Sequence, residues 1–478
     1  MMTADSKAPS SEQLKVQSEQ RDESLFVYSL SIDAEPFTEG GNASRLIVMH
    51  GDDMRYCHTH KKWYSWDGAR WRMDEDGAAK RAAEHVVQYL YYRAQNASSP
   101  TERGALAAAA MAADSSRALS NILEIAKNRS GIAITWQDLD PDPWLLGAGD
   151  MTLDLRAVTA RPSRREDMIS KQIGCKYDPE AKCERWDKFL VEVFPDEQVR
   201  AFVQRAIGYS LTGSMAEEAF FLCWGLGANG KSKFLSAIRA LMGDYAKHAS
   251  FTTFLVQRSD RIRNDLAALA GAHFITSVEA KDGSEFDMEL LKGWTGGEPI
   301  RSRFLYAEEF EYPPAGKLWF AANRKPRITA QTHEVWRRVY LIPFTVTIPK
   351  KLRDKHLEGK LLAELSGILN WALEGLREYL VQGLNPPVAV IAATRQYEEE
   401  NDSLSAFITE CCVEAKDAKC NNSELWEAYD GFCLDCGYKA LSKGRFREAL
   451  LYKGYTKTRS NQGMVWHSIG LRKEGSVV

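Results

Sequence analysis

The sequence predicts an α/β fold: a parallel sheet carrying a phosphate-binding loop, an α+β region before it and a winged-helix module after it. Three observations predict this. A complete G-x-x-x-x-G-K-S string, Gly225 to Ser232, lies between an apolar run and a helical pattern. Residues 215–345 alternate strand-like and helix-like patterns. Residues 401–478 show three helical patterns and then two short β-like runs around Asn461-Gln462-Gly463.

The composition sets the frame. A chain of 478 residues allows two to four domains, and 44% hydrophobic residues exclude wholesale disorder. Lys+Arg is 62 against Asp+Glu 65, so a surface basic all over is excluded, while a local basic patch is not. No apolar run is long enough for a membrane span, and the polar start MMTADSKAPSSEQ has no apolar core of a secretory signal. Nine scattered cysteines then read as reduced thiols of a cytosol. Cys57-His58-Thr59-His60 and Cys433 with Cys436 invite a zinc reading, but neither has a second pair at zinc-finger spacing, and buried or incidental side chains are favoured.

Five segments follow along the chain. Residues 1–36 are polar without periodicity and predict a flexible tail. Residues 37–210 form an N-terminal accessory region. In it Asp67-Gly68 predicts a hairpin between aromatic-rich strands, and Ala-rich patterns predict helices over 78–95 and 103–128. Residues 211–350 hold the phosphate loop, 351–400 are a helical extension, and 401–478 are the C-terminal module.

The loop carries the chemistry. Gly225, Gly227 and Gly230, with Ala228 and Asn229, let backbone N–H groups turn around phosphate oxygens, and the helix from Lys231 presents its positive end to the same anion. Lys231 supplies a point charge for the β/γ-phosphates of ATP, Ser232 a hydroxyl for Mg²⁺, and Lys233 continues the loop into the helix. The next strand candidate ends at Glu279, assigned to the metal and its waters; Asp282 is a weaker candidate base. A third strand ends at Asn323, where a polar amide could sense the terminal phosphate or orient the attacking water. Arg337 and Arg338 open a further apolar strand, where a guanidinium could reach across a subunit boundary or form an ordinary surface pair.

These residues resemble the superfamily 3 helicases of the phage and plasmid P4-type primase–helicase and poxvirus D5-like group. The resemblance begins at Phe37-Thr38-Glu39-Gly40-Gly41-Asn42-Ala43, where Glu39 replaces the usual Asp, and runs through Gly208-Tyr209-Ser210-Leu211-Thr212-Gly213. Motor motifs follow in family order: Gly225 to Ser232, Ser277-Val278-Glu279, Leu291 to Arg303, Ala322-Asn323-Arg324, and Trp336-Arg337-Arg338 with Ile342-Pro343-Phe344. The resemblance implies an AAA+-like core, a hexameric ring, 3′ to 5′ movement, Arg338 as the arginine finger, and service to a phage, prophage or plasmid in the cytoplasm of a bacterial host cell. Lys281 stands where the family often has a second acid, so the water-activating base stays open. Only a short tail precedes the D5-like region, so primer synthesis is left to a separate primase or polymerase.

For single-stranded and forked DNA, Lys292, Arg301 and Arg303 lie in the segment that projects a channel hairpin in this fold class. Ion pairing within the ring is the competing role. Between Lys439 and Arg459 seven bases face one acid, and Lys443, Arg445, Arg447 and Lys457 are the candidate contacts. An origin-binding initiator or loader, and a protein whose ATP site is structural, are the rival functions.

Overall fold

The computed structural model describes residues 32–257, 263–278, 284–303, 309–328, 333–436, 438, 440–460 and 463–472. Glu279, Asp282, Lys439 and most of the expected tail lie outside the described residues. The chain divides into two compact units: residues 1–142 with 162–171, and residues 143–161 with 172–478.

Among the described residues of the first unit, the first helix is Glu39–His50, whose N-terminus is capped by the Thr38 hydroxyl accepting from the Gly41 N–H. A Cβ at Gly41 would stand 1.9 Å from the Pro36 carbonyl oxygen, so only glycine fits there. Arg45 is buried and donates to Asn42 Oδ1 and the Pro36 carbonyl, both at 2.9 Å, and to the Glu35 carbonyl. The Thr38–Ala43 string is therefore a lock for the start of the unit. Four strands follow: β1 (Met54–Cys57), β2 (Lys62–Trp66), β3 (Trp71–Met73) and β4 (Ala133–Ile134), in the order β3-β2-β1-β4. Asp67 Oδ1 accepts from the N–H groups of Ala69 and Arg70, which fixes the β2–β3 turn. Tyr64 and Trp71 are buried with Cys57, so these aromatics and this thiol are core. The Ala-rich stretch 103–128 is not one helix. It breaks into Pro100–Ala113 and Ser116–Ala126, because Asp114 leaves helical geometry and the Ser115 hydroxyl caps the second helix.

The second unit begins with the sheet β5 (Leu145–Ala148), β6 (Met151–Asp154) and β7 (Thr159–Pro162). The helices Glu184–Val193 and Glu197–Leu211, expected in the accessory region, belong here. Their apolar stripes (Trp186, Phe189, Phe202, Ile207) enter the same core as Phe221, Phe234 and Trp319 of the central sheet and its helix. That sheet holds β8 (Phe220–Trp224), β9 (Ala246–His248), β10 (Phe274–Val278), β13 (Lys317–Ala322) and β14 (Val339–Pro343). All pairings are parallel, in the order β14-β8-β13-β10-β9. Between β10 and β13 an antiparallel hairpin, β11 (Ile300–Arg303) with β12 (Glu309–Tyr312), stands outside the sheet.

Gly208, from the Gly-Tyr-Ser-Leu-Thr-Gly string, is forced by packing. A Cβ there would lie 2.2 Å from the Leu376 nitrogen, and one at Gly375 would lie 2.1 Å from the Gln204 carbonyl. The helices Glu197–Leu211 and Leu365–Gln382 thus meet backbone to backbone. The last segment holds helices Ser403–Cys411, Asn422–Asp435 and Lys443–Tyr452. A two-stranded ladder pairs β15 (Cys412–Val413) with β19 (Gly470–Leu471). Strands β16 (Lys419–Asn421), β17 (Thr456–Ser460) and β18 (Gly463–His467) form a sheet in the order β16-β18-β17. Leu425, Tyr429, Phe446, Leu450 and Trp466 fill its core.

Candidate nucleotide site and basic surfaces

The strand β8 is flanked by β13 and β14, neither of them its neighbour in sequence. The order reverses beside it, and in open α/β sheets a crevice for ligands forms at the carboxyl ends of the strands at such a point. The chain leaves β8 at Trp224, crosses Gly225–Gly230, and enters the helix Lys231–Met242. The loop is held from beneath. Asn229 is buried and donates through Nδ2 to the Phe344 carbonyl at 3.2 Å, and the Ile348 N–H donates to the Ala228 carbonyl at 2.8 Å. Gly230 has φ +87°, and a Cβ there would come 2.5 Å from the Val193 side chain.

Lys231 is buried, and its Nζ donates to the Gly225 carbonyl at 2.5 Å and to Asn323 Oδ1 at 3.0 Å. Burial pushes the ammonium pKa down from its ordinary value. A lysine kept this dry, folded back onto the loop that it follows, suits an anion that would replace those two oxygens. Asn323 reaches it from the end of β13, so two residues 92 positions apart meet at one atom.

A cavity of about 360 Å³ opens over the loop, lined by Gly227–Lys233 and Asn323 on one side. Arg185, Phe189, Leu352 and Arg353 line the other. No sequence motif announced that second wall, since it comes from a helix and a short turn distant in the chain. Ser232 and Lys233 are exposed in the first turn, and Lys233 pairs with Glu358 at 2.5 Å. The glycine cradle and the dry lysine fit the phosphates of a nucleotide. For a divalent metal the described part of the site offers the Ser232 hydroxyl, while Glu279 lies outside the described residues. Among the described residues there is no group of three His, Cys, Asp or Glu placed to hold a metal.

Arg337 and Arg338 stand at the other end of the sheet. The Arg338 carbonyl accepts from the Phe220 N–H at 2.8 Å, at the start of β8 and not at its loop end. The Arg338 side chain is only 10% exposed and binds Glu218 at 2.8 Å and Thr295 Oγ1 at 3.1 Å. Arg337 is 46% exposed and binds the same Glu218 oxygen at 2.5 Å. The arginine favoured from the sequence is thus the inward one, and its neighbour faces solvent. Neither Glu218 nor Thr295 was singled out from the sequence; a lone glutamate before a strand carries no signal there.

The hairpin residue Arg301 is exposed and pairs with Glu311 at 3.0 Å, its register partner. Arg303 is half-buried opposite Glu309. Lys292 pairs with Glu334 at 2.8 Å. Lys292 and Arg445 also share the wall of a cavity of about 810 Å³ with Glu285, Glu289 and Glu298, so acids already lie near both. Lys443, Arg445 and Arg447 lie on the exposed side of the helix Lys443–Tyr452. Lys443 lies over the Trp426 ring at 5.9 Å, and Lys457 of β17 lies over Trp466 at 5.7 Å.

A mixed α/β unit with a parallel sheet reversing at a glycine-rich crevice is what these residues build. Comparison with known proteins places it further. The description "D5 N terminal like" matches residues 43–195, "Family of unknown function (DUF5906)" matches 223–338, and "Poxvirus D5 protein-like" matches 399–467. The chain is thus similar to D5-like proteins over residues 43–195 and 399–467, and its relatives carry helicase and primase names. It is 27% identical over 306 residues to the helicase-named L207/L206 of Acanthamoeba polyphaga mimivirus, covering 59% of this chain and 32% of that protein. It is 24% identical over 262 residues to helicase-named 022R of Frog virus 3, covering 50% and 27%. It is 23% identical over 321 residues to primase-named C962R of African swine fever virus, covering 61% and 33%. The chain thus spans a third or less of the length of these relatives. A solved structure of the NrS-1 C-terminal region superposes with a TM-score of 0.48 at 10% identity, over 87% of this chain and 96% of that one, too slight to carry a shared fold. Among the described residues no helix is long and apolar enough to cross a membrane.

Proposed function

We propose that the chain is the ATP-hydrolysing motor of a superfamily 3 DNA helicase acting on single-stranded and forked DNA. The observation that carries this is Lys231: buried, and bonded to its own loop and to Asn323 at the crevice beside β8. In this reading the loop amides and Lys231 hold the β- and γ-phosphates of ATP. Asn323 orients the terminal phosphate or the attacking water. Ser232 with Glu279 would hold Mg²⁺, which when bound neutralises phosphate charge.

The arginine pair acts on another copy. Five residues of β8 separate it from the loop, about 16 Å at 3.3 Å per residue, beyond the reach of a guanidinium to its own nucleotide. A head-to-tail arrangement brings the pair of one copy to the loop of the next, and such contacts close into rings. Six copies and 3′ to 5′ movement rest on the family resemblance. Arg301 and Arg303 on the hairpin, with Lys292 at its approach, track the strand in the ring. The C-terminal helices and hairpin have the order of a winged helix, and Lys443, Arg445, Arg447 and Lys457 bind duplex or forked DNA there. The three viral relatives belong to large DNA viruses, so a virus of that kind stands beside a phage, prophage or plasmid as the replicating element, and a bacterial cytoplasm draws no support from them. A partner or another part of a longer protein supplies primer synthesis.

The test is unwinding of forked DNA with and without ATP. Wild-type chain should unwind only with ATP, and Lys231→Ala should abolish unwinding and turnover while DNA binding persists. Turnover without unwinding would identify an initiator or loader instead. Unwinding by Lys231→Ala at the wild-type rate would refute the site.

A further inference from the structure

Resting on that reading, we infer that Glu218 is the positioning residue of the arginine pair, and that Arg337, not Arg338, is the group offered to a neighbouring copy. Two adjacent arginines that open a strand should send their side chains to opposite faces. Here one carboxylate oxygen, Oε2 of Glu218, accepts from both: Arg337 Nη2 at 2.5 Å and Arg338 Nη2 at 2.8 Å. The backbone sets this carboxylate in place. Glu218 has φ +49°, its N–H donates to the Met215 carbonyl at 3.0 Å, and its own carbonyl accepts from Arg338 Nη1 at 3.3 Å.

The two guanidiniums have different fates. Arg338 is committed inside the subunit. Glu218 and Thr295 occupy its Nη atoms, its Nε is buried without a partner among the described residues, and freeing the group would strand a buried charge. Arg337 has no second side-chain partner among the described residues and keeps 46% of its side chain in solvent. A triphosphate arriving from another copy can take Arg337 from Glu218 without emptying a buried site. Glu218 then keeps its bond to Arg338, and the anchor survives the exchange. The carboxylate also offsets the repulsion between two neighbouring cations until the phosphate arrives. Arg338 further ties the pair to Thr295, the last residue of the helix Met288–Thr295, five positions before the DNA-tracking hairpin opens at Ile300.

The experiment measures steady-state ATPase of the full chain with single-stranded DNA, in pure form and in mixtures. Arg337→Ala should lower kcat by about 10³-fold or more, the order of a lost arginine finger, with KM for ATP and the melting temperature unchanged. Glu218→Gln should lower kcat about 10–100-fold with KM unchanged, and Glu218→Asp should recover part of it. Mixing either variant with Lys231→Ala, which is dead at its own loop but keeps an intact pair, should restore turnover, because the two lesions fall on different sides of one interface. A purely structural role for Glu218 predicts a lower melting temperature and no recovery on mixing. That result, or wild-type kcat in Glu218→Gln or Arg337→Ala, overturns the proposal. A wild-type chain that hydrolyses no ATP sinks the motor reading itself, whereas a wild-type rate in Glu218→Gln sinks only this assignment.

Discussion

Gly225→Ala should disable nucleotide binding for want of space. A Cβ at this position would stand 2.2 Å from Asn229 Nδ2 and 2.3 Å from the Phe344 carbonyl oxygen, each about 1 Å inside ordinary contact. Both are fixed: Asn229 is buried and donates to that same carbonyl, which follows the strand beside β8. Overpacking costs about 1–3 kcal/mol, and a broken hydrogen bond about 1 kcal/mol more. The cheapest response is for the loop to move outward. That withdraws the Gly225 carbonyl from Lys231 and uncouples the lysine from the crevice. A penalty of about 2–4 kcal/mol then appears as a loss in nucleotide affinity of about 30–1,000-fold. Calorimetry with a non-hydrolysable ATP analogue reads it, and a thermal melt run in parallel catches any share that falls on stability. Gly104→Ala is the control. That glycine sits inside the helix Pro100–Ala113 with nothing within 4 Å of a new Cβ, and alanine there should stabilise by about 0.5–1 kcal/mol. Wild-type affinity together with wild-type melting in Gly225→Ala would show that the loop is not gripped as described.

Three further outcomes are expected. Asn323→Ala removes one of the two oxygens that hold Lys231, and should lower kcat about 100-fold with a smaller change in nucleotide affinity; an unchanged kcat in steady-state kinetics would remove Asn323 from the site. Lys317 is fully buried, its Nζ donating to the Thr212 and Ala315 carbonyls, and burial holds its pKa well below the ordinary lysine value. The unfolded chain therefore binds one more proton over the window from the folded pKa up to the ordinary value, and folding gains about 1.4 kcal/mol per pH unit as pH rises through it. Denaturant melts of wild type against Lys317→Met should show that difference changing with pH, wild type gaining on the variant as pH rises, and a parallel pair of curves would refute it. Replacing Lys443 and Arg447 with alanine should weaken DNA binding and reduce the slope of log K against log salt by about one for each phosphate no longer neutralised, with ATP binding intact; an unaltered slope would mean that this helix does not touch the backbone.

What could be read in the sequence was whatever is contiguous. The phosphate loop is eight consecutive residues between a buried strand and a helix, and both periodicities are local. The break at Asp114 was missed, because the Ala-rich run masked Ser115, an ordinary capping signal. The assignment of the helices Glu184–Val193 and Glu197–Leu211 was not legible, because an apolar stripe says that a face is buried and not which partner buries it; here the partner is the sheet around Phe221. The orientation of Arg337 and Arg338 was equally hidden. Two identical adjacent side chains carry no sign of which turns inward, and the residue that decides lies 120 positions earlier.

On the proposed function, the two ends of β8 would let one strand serve chemistry shared between two copies. Its carboxyl end delivers the chain into the loop that ends at Lys231, and its amino end is stitched to Arg338 through the Phe220 N–H. Every residue of the strand is buried or nearly so, and it pairs with neighbours on both sides, so its length cannot change without tearing the central sheet. The lysine and the arginines are therefore held apart by a rigid spacer of about 16 Å. A flexible link would let a free subunit assemble its own charge set and waste ATP. In the proposed reading, a rigid one leaves a lone copy with the cradle and without the guanidinium, and would tie hydrolysis to the arrival of a neighbour. On this basis the ATPase rate per copy should rise with protein concentration before reaching a plateau, and a rate per copy independent of concentration down to conditions where the chain is monomeric would refute the division of labour.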